Sequence, residues 1–263
     1  MKLAIAGCTG RMGLALVRCA LATEGVRLTC GSERPGFDRK AAEEKLLAGG
    51  GASLTLTSNP EELVAKAEAV IDFTTPQATL EMARIIARRG GIHVVGTTGF
   101  TDSQQQEIEQ LAAHARIVQS GNFSLGVNVL ESLVEQAARI LDESYDIEVS
   151  EMHHKHKKDA PSGTALMLGR AAARGRGVSL EDKKPPAREG MGERQPGEIG
   201  FMSARGGDIV GLHSVMLAGP GELIELKHQA FSRDIFAHGA IRAALWARNQ
   251  PPGIYSMRQV LGL

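Results

Sequence analysis

Along the first half of the chain, short apolar runs alternate with stretches of helical spacing, and polar turns separate them. Residues 2–6 form such a run; it enters Gly7-Cys-Thr-Gly10-Arg-Met-Gly13 and a helical stretch through Ala22, and residues 26–30 read as the next strand. Residues 37–51 read as a loop with some helix, and residues 53–57 as a short strand. Asn59-Pro60-Glu61-Glu62 offers a cap, a proline at the first helical position and acids in the first turn, so it opens a helix. Strands are expected over residues 69–73, 92–95 and 117–119, with helices over 77–89 and from Thr101 to about His114. Repeated strand–helix units predict a parallel, doubly wound α/β sheet that binds ligands at the C-terminal ends of its strands. The turns Gly31-Ser-Glu33-Arg34, Gly96-Thr97-Thr98-Gly99 and Ser120-Gly121-Asn122-Phe123 fall at such ends, with ordinary well-formed turns as the competing reading.

After Asn122 the pattern changes. Residues 124–141 put Val127, Leu130, Leu133, Val134, Ala137 and Leu141 on one helical face; residues 146–152 read as a strand and 165–174 as a helix. Residues 175–198 are rich in Gly, Pro and charge and read as a long loop or lid. Strands follow over 199–204, 208–217 and 222–230, with Ala218-Gly-Pro-Gly221 as a hairpin turn, then helices over 232–246 and 256–261. This half predicts an α+β unit with a mostly antiparallel sheet.

The first glycine turn sits between a strand and a helix, and Glu33 ends the second strand roughly 20 residues after the last glycine, the context of a dinucleotide-binding unit. Its spacing, G-x-x-G-x-x-G, is looser than G-x-G-x-x-G. Such glycines allow close backbone approach, and the helix N-terminus receives a pyrophosphate.

A second concentration of chemistry is Glu151-Met-His-His-Lys-His-Lys-Lys-Asp-Ala-Pro-Ser-Gly-Thr164. His153, His154 and His156 alternate with Lys155, Lys157 and Lys158 ahead of a helix start, where Pro161 suits the first helical position and Ser162 or Thr164 a cap. Such a terminus binds carboxylates, the lysines add point charges, and a histidine exchanges protons near neutral pH. Together they suit a small, multiply anionic substrate that gains or loses a proton; a solvated loop is the bland alternative. Interleaved lysines repel a cation and the Cys/His spacing of structural zinc is missing, so no metal is expected.

Net charge is zero over 263 residues, which argues against a nucleic-acid or anionic-membrane surface. The chain lacks a run of about 18 apolar residues, and its start has no charged-then-apolar leader. Cys8, Cys19 and Cys30 are sparse, odd in number and without metal spacing, so a cytoplasmic location is expected.

Taken together, Gly7-x-x-Gly-Arg-Met-Gly13, Asp72-Phe-Thr, Gly96-Thr-Thr-Gly-Phe100, Asn122-Phe-Ser-x-Gly-Val-Asn128 and the histidine tract resemble bacterial dihydrodipicolinate reductases, also called 4-hydroxy-tetrahydrodipicolinate reductases. The likeness continues through Gly206-Gly-Asp-Ile-Val-Gly211 and His228-x-Ala-x-Ser-Arg233. The histidine tract is its most specific part. The resemblance implies a Rossmann-type nicotinamide domain from residues 1–124 and 234–263, and a substrate and tetramerisation domain from 125–233. It implies that Gly7, Cys8, Thr9, Gly10, Arg11 and Met12 hold the pyrophosphate and Glu33 the adenosine ribose. Gly96, Thr97 and Thr98, with Ser120, Gly121, Asn122 and Phe123, would hold the nicotinamide half. His153 would be the acid/base and Lys157 the proton donor, while His154, Gly163 and Thr164 grip the carboxylates of a cyclic dicarboxylate in a homotetramer. By residue chemistry, either Lys157 or His153 can quench the electron density that hydride delivery leaves, and lysine crowding would depress the Lys157 pKa.

Glu33 welcomes a free ribose hydroxyl and so favours NADH, whereas Arg34 and Arg11 would neutralise a 2′-phosphate and admit NADPH. Departures from the family pattern are Leu212 in place of an acid, Gly121 in place of alanine or proline, and a shortened 188–194 segment; the first and last bear on the pocket rim and lid. The rivals are a related imine or amino-acid dehydrogenase and a non-catalytic NAD(H)-sensing protein.

Overall fold

The computed structural model describes residues 1–50, 54–186 and 190–263, so the strand expectation at Ser53 and the departure at Arg188 and Glu189 lie outside the described residues. The chain divides into two compact units, residues 1–125 with 233–263, and residues 126–232.

The first unit alternates strand and helix: β1 (Lys2–Ala6), α1 (Arg11–Ala22), β2 (Arg27–Ser32), α2 (Arg39–Ala48), β3 (Thr55–Thr57), α3 (Pro60–Ala65), β4 (Ala69–Asp72), α4 (Pro76–Arg89), β5 (Ile92–Val95), α5 (Asp102–Leu111) and β6 (Arg116–Gln119). Helix α6 (Leu125–Ile140) leads into the second unit, which holds β7 (Asp146–His153), α7 (Gly163–Arg176), α8 (Leu180–Lys183), β8 (Ile199–Arg205), β9 (Gly211–Gly219) and β10 (Glu222–Ala230). The chain returns to the first unit as α9 (Asp234–Ala247), β11 (Gly253–Tyr255) and α10 (Met257–Leu261).

Seven parallel strands form the first sheet in the order β11-β6-β5-β4-β1-β2-β3. Central β1 is buried on both faces: Leu3 and Ile5 pack with Leu16, Ala240 and Ile241, while Ala4 and Ala6 pack with Leu63, Leu80 and Ile86. A parallel strand covered by helices on both sides has no polar face, so its sequence is an unbroken apolar run. Register aligns Ala6 with Ser32 and Asp72, Asp72 with Val95, and Val95 with Gln119. The turns after five strands therefore start level, at one edge of the sheet.

Local chemistry sets the helix starts. Asn59 Oδ1 accepts from Glu61 N ahead of α3, and Thr101 forms a capping box with Gln104 ahead of α5. Thr75 caps α4 with Pro76 at the first helical position, one residue before the expected start, and Gly90 ends it in the left-handed region at φ 65°. Asp38 caps α2, giving a regular helix where loop with some helix is expected. Strand β11 has no counterpart in the sequence reading; it is three residues long, follows two prolines, and is ordered by parallel pairing with β6.

In the second unit the order is β10-β9-β7-β8, antiparallel except for the parallel β7–β8 pair. Helices α6 and α7 cover one face, where Leu130, Val134 and Leu168 meet Ile147, Val149 and Val215. Period-two alternation then puts Glu151 and His153 on that covered face, and Met152, exposed, on the other. Strand β9 starts at Gly211, later than expected, and runs on to Gly219, leaving the turn to Pro220 and Gly221. The 175–198 stretch is not all loop: α7 extends to Arg176 and α8 adds one turn.

Candidate active site

The glycine turn is built for close approach. Gly7 adopts φ 66°, Gly10 N–H donates to its carbonyl, and a Cβ on Gly13 would lie 2.2 Å from that same oxygen. Gly10 caps α1 without a side chain, so the first helical N–H groups remain for an anion. Glu33 Oε1 accepts from Thr9 N at 2.7 Å and Thr9 Oγ1 at 2.8 Å, tying the acid to the turn. Arg11 and Arg34 are exposed. A cavity of about 310 Å³ is lined by Gly7, Ser32, Glu33, Arg34, Thr74 and Thr75. Bare helix start, cradle and acid together fit a dinucleotide.

Several residues expected at the cofactor have side chains engaged in internal packing and hydrogen bonds. Cys8 is fully buried against Gly31, and burial, then the nearby Glu33 charge, pushes its thiol up to about 12. The Thr97 hydroxyl is buried, accepting from Thr74 N at 3.0 Å and pairing with Thr79 Oγ1 at 2.9 Å. Beneath them lies buried Asp72, which accepts from Thr74 N at 2.9 Å and Thr74 Oγ1 at 2.6 Å, with His93 Nε2 at 3.3 Å. Burial alone would raise that carboxyl; hydrogen bonds from His93 and then Thr74 hold it below the usual carboxylate range. A Cβ on Gly96 would fall 2.1 Å from the Phe73 ring, whose neighbour at 5.5 Å is buried Phe123. Ser120 Oγ donates to Asn122 O and Asn122 Oδ1 accepts from Ser124 N, closing the last turn. Thr98 and Gly121 are exposed.

The second cluster is assembled by the second sheet. His153 ends β7 with Nδ1 2.6 Å from Glu151 Oε2. Arg205, level with His153 on β8, grips Glu151 through both oxygens at 2.8 Å, and Ser162 N donates to Oε1 at 3.2 Å. Burial works against this carboxylate, but the Arg205, Ser203 and His153 hydrogen bonds outweigh it and hold its pKa at about 2. His153 itself is lowered, first by burial, with Glu151 pulling the other way. Its ring meets His213 edge-on at 5.0 Å; His213 Nε2 is 3.1 Å from Ser162 Oγ. Burial, then the charge of His153, drives His213 down to about 3.

Ser162 is the cap of α7, accepting from Ala165 N at 3.1 Å, so Pro161 precedes the cap and does not occupy the first helical position. Gly163 and Thr164 supply the first two N–H groups of that 14-residue helix, and a Cβ on Gly163 would meet nothing within 4 Å. His154 is half-buried, its N–H donating to Ile209 O at 2.8 Å, and His156 is exposed. Lys157 Nζ pairs with Asp159, whose carbonyl accepts from Arg205 at 2.5 Å. Leu212 pairs with Met152, so that departure lies on the sheet face opposite His153. Among the described residues, no group of three or more His, Cys, Asp or Glu side chains is placed to hold a metal ion.

Sequence reasoning missed the work of Glu151, Arg205 and His213. Glu151 had a signal, since two residues before His153 on a strand means the same face. Arg205 and His213 join only through strand register.

The family model described as dihydrodipicolinate reductase, N-terminus, matches residues 1–123, and its C-terminus counterpart matches residues 126–261. The chain belongs to the dihydrodipicolinate reductase family. The 4-hydroxy-tetrahydrodipicolinate reductase of Roseobacter denitrificans is 52% identical, covering 100% of this chain and 97% of that protein. The Rhizobium meliloti enzyme of that name is 51% identical, covering 100% and 98%. The dipicolinate-bound dihydrodipicolinate reductase from Paenisporosarcina sp. TG-14 superposes with a TM-score of 0.76 over 97% of each chain at 24% identity, a likeness of fold.

Proposed function

We propose that the protein reduces 4-hydroxy-tetrahydrodipicolinate to tetrahydrodipicolinate with NADH or NADPH, taking up one hydride and one proton while the 4-hydroxyl leaves as water, in diaminopimelate and lysine biosynthesis. The observation that carries this reading is the juxtaposition of His153, set in a carboxylate–guanidinium network, with the α7 N-terminus, in a family member matched over its whole length.

A bound nicotinamide supplies the hydride. Gly7, Thr9, Gly10, Arg11 and Met12 hold the pyrophosphate, with Cys8 contributing backbone; Glu33 receives the ribose and Arg34 tolerates a 2′-phosphate. The Gly96–Thr98 and Ser120–Phe123 turns receive the nicotinamide half. Gly163, Thr164 and His154 bind the substrate carboxylates, because helix N–H groups and an imidazole favour anions. His153 acts as acid/base and Lys157 delivers the proton that follows the hydride. Residues 1–124 with 234–263 form the nucleotide domain, and 125–233 the substrate and tetramerisation domain. The uncovered face of the second sheet, with Met152, Met202 and Leu223 exposed, supports assembly into a homotetramer. Three buried free cysteines suit the cytoplasm.

The test is a coupled assay. Pyruvate and aspartate semialdehyde, condensed by the preceding synthase, are offered with NADH or NADPH to wild type and His153→Ala. Fast nicotinamide oxidation that collapses in the variant is expected. No oxidation despite tight NADH binding would leave the related imine dehydrogenase as the reading. Sedimentation of the same sample reads the subunit number.

A further inference from the structure

We propose that Glu151 and Arg205 are a positioning pair that holds His153 in one tautomer, with Nδ1–H donated to Glu151 and Nε2 left as the nitrogen that exchanges the proton. This rests on His153 being the acid/base of the proposed reaction.

The carboxylate determines the tautomer. Glu151 is ringed by donors: Oε1 accepts from Arg205 Nη2 and Ser162 N, Oε2 from Arg205 Nη1 and His153 Nδ1, and Ser203 adds a further hydrogen bond. A buried carboxylate gripped from both oxygens by a guanidinium stays ionised and is acceptor-only. The 2.6 Å contact to His153 therefore requires the hydrogen to sit on Nδ1. In the neutral ring Nε2 then carries the lone pair, and only the missing side chain of Gly211 keeps the space beside it open, since a Cβ there would crowd Nε2 at 3.2 Å. Glu151, saturated and buried, has no oxygen left for substrate, so it acts through the histidine alone. The groups facing His153 are Glu151 on its own strand, Arg205 on β8, His213 on β9 and the Lys157 charge. Arg205 also donates to the Asp159 carbonyl, and Asp159 holds Lys157, so one guanidinium fixes the surroundings of both proton-handling candidates.

The experiment combines nitrogen-15 NMR of histidine-labelled full-length protein with kinetics of Glu151→Gln, Glu151→Asp, Arg205→Lys and His153→Ala. In wild type, His153 should show a protonated Nδ1 and an unprotonated Nε2 when neutral. Glu151→Gln should lower kcat by about 100-fold with KM within about threefold, as for a lost orienting partner, and should move the acid limb of the pH profile. Glu151→Asp should recover part of the rate. A wild-type ring protonated on Nε2 overturns the inference whether or not the variants fold. So does a collapsed His153→Ala beside a Glu151→Gln of unchanged rate and pH profile, which leaves the acid/base reading standing. A fully active His153→Ala removes that reading and the inference with it.

Discussion

Lys157 Nζ lies 2.8 and 2.9 Å from the two carboxylate oxygens of Asp159, an ion pair two residues apart in the same tract. The lysine-rich sequence predicts like-charge crowding at this amine; the fold gives it an acid instead. Asp159 is well exposed, and such pairs contribute little, about 0–1 kcal/mol. Lys157→Ala should therefore lower kcat by about 100-fold or more through the lost proton donor, with a much smaller change in substrate affinity. Asp159→Asn should cost no more than about fivefold, being a loss of a screened pair. Steady-state kinetics on both variants decide the matter. Equal losses would make the ion pair, and not the amine, the needed element.

Glu33 reaches the glycine turn through one oxygen, Oε1, which accepts from Thr9 N and Oγ1. The acid thus helps shape the glycine turn, besides its proposed role at the ribose. Glu33→Ala should shift preference towards NADPH by roughly tenfold, because a negative charge opposing a 2′-phosphate is removed while Arg34 remains. Affinity for both nucleotides should fall modestly as Thr9 loses its acceptor. Fluorescence titrations with NADH and NADPH measure both effects, and an unchanged ratio would place the ribose elsewhere.

Much of the first unit could be read from sequence because its signals are local. Asn59-Pro60 and Thr101-x-x-Gln104 announce helices by capping chemistry, and β1 shows its double burial as an unbroken apolar run. The histidine–lysine tract was visible as composition, but its wiring was not. Glu151, Arg205 and His213 meet because β7 lies between β8 and β9 in a fixed register, a relationship that spans more than one strand of sequence separation. The misplaced Pro161 shows a different limit: either Pro161 or Ser162 could begin a helix, and only the Ser162 contact to Ala165 N selects between them.

Glycine positions separate close packing from open turn. A Cβ on Gly13 would stand 2.2 Å from the Gly7 oxygen and 2.6 Å from Cys8 Cα, both backbone that cannot rotate away. On Gly239 of α9 it would stand 1.7 Å from the Phe123 oxygen. Gly13→Ala and Gly239→Ala should each cost about 1–3 kcal/mol or more by overpacking, and Gly13→Ala should also weaken NADH binding at least tenfold. An added Cβ on Gly121 has nothing within 4 Å, so Gly121→Ala should stay within about 0.5 kcal/mol of wild type. Urea denaturation of the three variants checks the order; a destabilised Gly121→Ala would contradict it.

Acid should destabilise the second unit in two steps. His213 is held at about 3 in the fold against an ordinary 6.5, so between those values the unfolded chain binds a proton that the folded chain refuses. Its contribution is fully present above about pH 6.5 and is lost as pH falls towards 3. His153 is depressed in the same direction and adds to the first step. Glu151, held at about 2 against an ordinary 4.5, contributes stability above 4.5 that disappears as pH falls towards 2. The first step should be worth roughly 3–5 kcal/mol when complete, since each pH unit between the folded and unfolded values corresponds to about 1.4 kcal/mol. Unfolding free energies measured from pH 7.5 down to 2.5 should fall steadily in wild type. His213→Gln, which keeps a polar partner for Ser162 but cannot titrate, should flatten that fall while leaving the lower-pH step of Glu151. A parallel curve in His213→Gln would mean that the buried ring does not carry the acid sensitivity.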